Sequence, residues 1–172
     1  MSTLAPIKPL ASTSLESTAI PIDLPTTTYK TLYRVVTGGL NPGDQLDISA
    51  DARVTNDAGY TVGVGWHLWA YSYSDPLRSA GPWWRISHLM GDNVPVARHH
   101  MPLHISYLHA IPEDWPAGDR MVIVLRADAH STAWASNGGG DTLSVDAGYG
   151  QLIVRQWAAP APVSAPEPCP AV

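Results

Sequence analysis

Between residues 46 and 54 apolar and polar side chains alternate without a break, Leu46, Ile48, Ala50, Ala52 and Val54 against Asp47, Ser49, Asp51 and Arg53. A period of two places successive side chains on opposite sides of an extended chain, so the segment predicts a strand with one buried and one wet face. The turn-forming run Asn56-Asp57-Ala58-Gly59 follows, and residues 60–73 then carry Tyr60, Val62, Val64, Trp66 and Leu68 on one side. Two such runs joined by a short polar turn predict a hairpin. Gly63 and Gly65 leave the other side of the second strand bare, which predicts a bulge or a closely approaching backbone.

Further strands are expected at residues 29–37, 83–89, 103–110, 121–129, 142–146 and 149–157. The segments between them are rich in the Gly, Pro, Asn and Asp that make tight turns. No stretch has the 3.6-residue apolar period of an amphipathic helix. About eight strands without helices predict an all-β fold, a two-sheet antiparallel sandwich of jelly-roll or similar Greek-key topology. A closed barrel satisfies the same periodicity.

The strand signals are confined to residues 29–157. Residues 1–28 form a Ser/Thr/Pro/Ala segment with Pro6, Pro9, Pro21 and Pro25. Proline fixes φ and lacks a donor, which opposes helix and central strand alike, so an extended N-terminal arm is expected. Residues 158–172 return to Pro and Ala, as expected of a polyproline-like tail.

A length of 172 residues fits one domain whose core holds without cross-links. The single cysteine, Cys169, excludes an internal disulfide and a multi-cysteine metal site. A net charge of -5 with ten scattered Lys and Arg gives no footprint for a phosphate backbone, so nucleic acid is not an expected partner. No apolar run is long enough to span a bilayer or to serve as the core of a signal peptide, so a soluble product is expected.

Composition changes the picture at the aromatic positions. Phe is absent while Trp and Tyr number seven each, so every large ring carries a polar handle suited to a partly wet surface. Charged residues make up 15%, against roughly 25% in ordinary soluble domains. The alternation that turns Trp66 inward turns Trp69, Tyr71 and Tyr73 the other way. A second subunit, a stacked sugar ring, or an intramolecular cover beneath the N-terminal arm would each account for rings on both faces. Trp69, Tyr71, Trp84 and Trp115 are therefore the candidate interface or ligand-stacking residues.

Chemistry is harder to find. His104 and His109 are five positions apart on one strand and face opposite ways, and the neighbours His99 and His100 are expected to touch a partner rather than share an ion. Asp47 and Asp51 read as a solvated strand face, and Asp44, Asp57, Glu113 and Asp114 as turn residues. No nucleophile elbow occurs, and the glycine-rich run Ser136 to Asp141 lacks the Lys-Ser/Thr of a phosphate loop. No catalytic residue, metal site or cofactor is expected, and the chain is not read as an enzyme.

The segments GDQLDISADARVTNDAGYTVGVGWHL, GDNVPVARHHMPLHISYLHAIP, MVIVLRADAHSTAW and TLSVDAGYGQLIV, in that order behind an extended arm, resemble small all-β structural proteins of tailed bacteriophages, of the capsid decoration or minor tail type. The likeness covers residues 29–157. It implies a virion component that assembles on other capsid or tail proteins, commonly as a homotrimer, with an arm reaching across a neighbouring subunit. A carbohydrate- or receptor-binding sandwich using the same rings is the alternative.

Overall fold

The computed structural model describes residues 8–13, 20–22, 29–75, 84–130 and 143–159. Among them are ten strands and no helix: β1 (Lys8–Thr13), β2 (Ile20–Ile22), β3 (Lys30–Leu40), β4 (Gln45–Asn56), β5 (Val62–Ser72), β6 (Trp84–Val94), β7 (Arg98–Ala110), β8 (Asp119–His130), β9 (Leu143–Val145) and β10 (Gln151–Trp157). They form two antiparallel sheets. One has the order β3-β8-β5-β6; the other runs β1-β10-β4-β9-β2, with β7 on the free side of β4.

With the three-residue strands β2 and β9 set aside, eight strands remain. Their sheet orders are then β1-β10-β4-β7 and β3-β8-β5-β6, the arrangement of a jelly roll with two interlocked Greek keys. The core lies between the sheets and takes one side of every alternating pattern. From β4 come Leu46, Ile48, Ala50, Ala52 and Val54; from β5, Val62, Val64, Trp66, Leu68 and Ala70; from β8, Met121, Ile123, Leu125, Ala127 and Ala129. Each fully buried Leu, Ile or Val contributes about 1.5–3 kcal/mol relative to exposure, so this shared interior fixes strand register.

The expected hairpin of residues 46–54 with 60–73 does not form. Strand β4 pairs with β7, β9 and β10, whereas β5 pairs with β6 and β8 in the opposite sheet. The turn between them crosses the sandwich as an arch, and both strands turn their apolar sides to the same interior. Asn56 holds the crossing. It is wholly buried, its Nδ2 donates to the carbonyls of Tyr60 and Val94, each at 2.9 Å, and to Pro95 at 3.1 Å, while its Oδ1 accepts from the Ala58 amide at 2.9 Å.

Two stretches within residues 1–28 are strands of this chain's own sheet: β1 pairs with β10 and β2 with β9. Both lie at the end of the sheet order, where Pro9 and Pro21 are tolerated because only one side of the strand must bond. The expectations for the tail beyond residue 159 lie outside the described residues, as do Trp134, Cys169 and the 136–141 run.

Candidate functional site

The two outward faces of the sandwich differ in chemistry. On β4 the outward positions are Asp47, Ser49, Asp51 and Arg53, and their charges are met locally. Arg155 Nη1 donates to Asp47 Oδ2 at 3.2 Å, Gln151 Nε2 donates to Asp51 Oδ2 at 3.1 Å, and His104 Nδ1 lies 2.7 Å from Asp51 Oδ1. The Arg53 guanidinium sits 4.6 Å from the centre of the Tyr149 ring. Exposed pairs of this kind contribute about 0–1 kcal/mol each, so the face is a solvated one, as expected for Asp47 and Asp51.

The outward face of β3-β8-β5-β6 is built otherwise. Opposite the core residues of β8 lie Val122 and Val124, both about as buried as the core itself although they are on the outer side. Register gives their neighbours across the sheet. Val124 stands between Arg34 of β3 and Trp69 of β5, and Val122 between Val36 and Tyr71. Trp69 is in turn opposite Arg85 of β6, so Arg34, Val124, Trp69 and Arg85 form one row across four strands. The Arg126 guanidinium lies 5.7 Å from the Trp69 ring centre, the Tyr29 ring is also 5.7 Å from it, and the Arg120 guanidinium sits 3.8 Å above Tyr73. Cation–ring contacts of this kind fix guanidiniums in place.

One ion pair lies on this face among the described residues. His67 Nε2 is 3.0 Å from Asp128 Oδ1, with His67 only 2% exposed and the Tyr29 ring edge-on to it at 4.7 Å. Gly65 makes the pair possible. It stands opposite Asp128, and a methyl group there would collide with the Asp128 carboxylate and come within 2.9 Å of His67 Nε2. The bulge expected from these glycines is present as a register shift between Val62 and Val64, whereas the space at Gly65 is filled by the Asp128 and His67 side chains and not by an approaching backbone.

The candidate residues do not gather in one place. Trp69 and Tyr71 are half-buried on the outward face just described. Trp84 is opposite Ala70 in the ladder, and its side chain lies outside the described residues. His99 and His100 are exposed at the start of β7, in the other sheet; His100 Nδ1 is 2.9 Å from Asp146 Oδ2 and its ring is 5.3 Å from Tyr149, which ties β7 to the turn after β9. Trp115 is a correction. It is 7% exposed and packs into the core, with Nε1 donating to the Asp119 carbonyl at 3.4 Å, because the loop before β8 folds back through a Trp115 amide bond to the Pro112 carbonyl. It offers no stacking surface.

His104 and His109 do face opposite ways. His104 is exposed, while His109 stands opposite Leu46 on the core side and burial holds its pKa below the ordinary imidazole value. Among the described residues no three His, Cys, Asp or Glu side chains converge as a metal site would require. Arg34, Arg85 and Arg126 were not singled out from the sequence. The unbroken apolar run Met121 to Leu125 was the available signal, since such a run marks a strand covered on both sides.

No family model and no curated protein matches the sequence. Solved structures do match. A chain from the structure of infectious bursal disease virus, Gx strain, superposes with a TM-score of 0.54 at 10% identity, over 92% of this chain and 34% of that one. A chain of the infectious bursal disease virus VP2 subviral particle aligns with a TM-score of 0.47 at 10% identity, over 85% of this chain and 32% of that one. The protein spans about a third of the length of these viral chains. The likeness is one of fold.

Proposed function

We propose that the protein is a non-enzymatic structural component of a virion, working through contacts with other virion proteins made by the outward face of β3-β8-β5-β6. The observation that carries this reading is the make-up of that face. Trp69, Tyr71, Arg34, Arg85 and Arg126 are the residue types that dominate the binding energy of protein interfaces, and they surround valines already shielded from water. The jelly roll by itself serves capsids, lectins and enzymes. Its likeness to a chain from a virus particle supports the first of these.

Within that role, the sequence resemblance supports a place on a tailed bacteriophage, as a capsid decoration or minor tail protein, and a homo-oligomeric form such as a trimer. Purified particles from an infected host test this directly. Mass spectrometry should find the chain at a fixed copy number, and a chain carrying Trp69→Ala with Tyr71→Ala should fold yet be depleted from particles. A chain absent from particles, or a folded double variant incorporated at the normal level, would overturn the proposal. A glycan panel separates the carbohydrate alternative, because saturable sugar binding lost on Trp69→Ala would reassign the same rings.

A further inference from the structure

Charge is unevenly divided over the molecule. The net charge is -5, yet among the described side chains the outward face of β3-β8-β5-β6 carries Arg34, Arg85, Arg120 and Arg126 against Asp128, which is engaged by His67. Arg34 and Arg85 are exposed and make no ion pair among the described residues. They stand at the two ends of the row that has Val124 and Trp69 between them.

Spacing makes the partner more specific. Neighbouring strands lie about 4.8 Å apart, so three steps from β3 to β6 separate the Arg34 and Arg85 backbones by about 14 Å. An extended segment rises about 3.3 Å per residue and presents positions i, i+2 and i+4 on one side, the outer two about 13 Å apart. From this match, and resting on the docking role proposed above, we infer that the face takes an extended acidic protein segment laid across its strands. Carboxylates at positions i and i+4 pair with Arg34 and Arg85, and an apolar side chain at i+2 packs on the half-buried Trp69 between them. Arginine suits this task because its planar fork bonds both oxygens of a carboxylate. A second copy of the chain is a poorer occupant, since Asp47 and Asp51 on the opposite face are already bonded to Arg155, His104 and Gln151.

The test uses the full chain and a fluorescein-labelled peptide containing Glu-Ser-Leu-Ser-Glu, with binding read by anisotropy. Saturable binding is expected, weakened several-fold by raising the salt concentration. Replacing both glutamates of the peptide by glutamine should abolish it. Arg34→Gln and Arg85→Gln should each weaken binding by about tenfold. Asp51→Asn, on the opposite face, should leave it unchanged. Equal binding of the glutamine peptide, or unchanged affinity in both arginine variants, overturns the inference. So does capture of a labelled single-stranded oligonucleotide at Arg34 and Arg85 in place of the peptide. Should the peptide fail while the Trp69→Ala, Tyr71→Ala chain is still lost from particles, the acidic segment is wrong and the docking face stands.

Discussion

Replacing Asn56 by alanine tests how the two sheets are joined. The wild-type carboxamide is fully buried and serves four main-chain groups: the carbonyls of Tyr60, Val94 and Pro95 share its two donated protons, and the Ala58 amide donates to its oxygen. Alanine cannot replace any of these bonds, and a buried polar group left unpaired costs about 1–3 kcal/mol. With the Pro95 bond only part-buried, three groups decide the outcome, and partial relaxation of the arch brings the expected loss to about 4 kcal/mol. That is a large share of a domain's total stability of about 5–15 kcal/mol. At about 2–4 °C per kcal/mol for a chain of this size, the melting temperature should fall by about 8–16 °C. Urea unfolding followed by tryptophan fluorescence gives the free energy directly. Asn56→Asp should be at least as damaging at neutral pH, because it turns an acceptor toward three carbonyls. A loss below about 1 kcal/mol for Asn56→Ala would refute the arch as the structural link, since a single ordinary hydrogen bond already contributes that much.

Three other outcomes follow from the same geometry. Gly65→Ala should cost about 1–3 kcal/mol by forcing the His67–Asp128 pair apart, whereas Gly59→Ala, with open space around its Cβ, should be near neutral by the same melt. Burial lowers the His109 pKa, so below the ordinary value of 6.5 the unfolded chain takes up a proton more readily than the folded chain, and stability should fall with pH down to the lowered folded pKa; His109→Gln should remove that slope in urea titrations across the window. Asp119 feels desolvation, which raises its pKa, but hydrogen bonds from Ser72, Ser74 and the Arg120 amide outweigh it and leave the pKa lowered. Its stabilisation is present above the unfolded pKa and should be lost as pH falls through the folded one, a dependence that Asp119→Asn should flatten.

Much of the fold was legible because residues 46–54 and 60–73 alternate cleanly, and alternation survives whichever strands pair. Pairing was not legible. A polar turn followed by a second strand reads the same whether the chain doubles back in one sheet or crosses to the other, and what distinguishes the arch is long-range: the pairing of β4 and β5 in different sheets and the bond from Asn56 to Val94, 38 residues away. Strand β1 was hidden by Pro9, which argues against a central strand and is compatible with an edge. Trp115 was misread because loop position suggests exposure, while the turn through Pro112 folds it into the core. Trp69 and Tyr71 were found by parity alone, but the arginines that flank them come from three different strands, and no local spacing joins Arg34, Arg85 and Arg126. The His67–Asp128 pair was missed for the same reason, although Gly65 marked the space it occupies.

Imaging of intact particles at side-chain resolution tests the central claim most directly. The row Arg34, Val124, Trp69 and Arg85 should be covered by another polypeptide, with carboxylates against the two terminal guanidiniums and the Asp47 and Asp51 face left to solvent. A particle in which that row faces open solvent while the Asp47 and Asp51 face is buried would contradict the account.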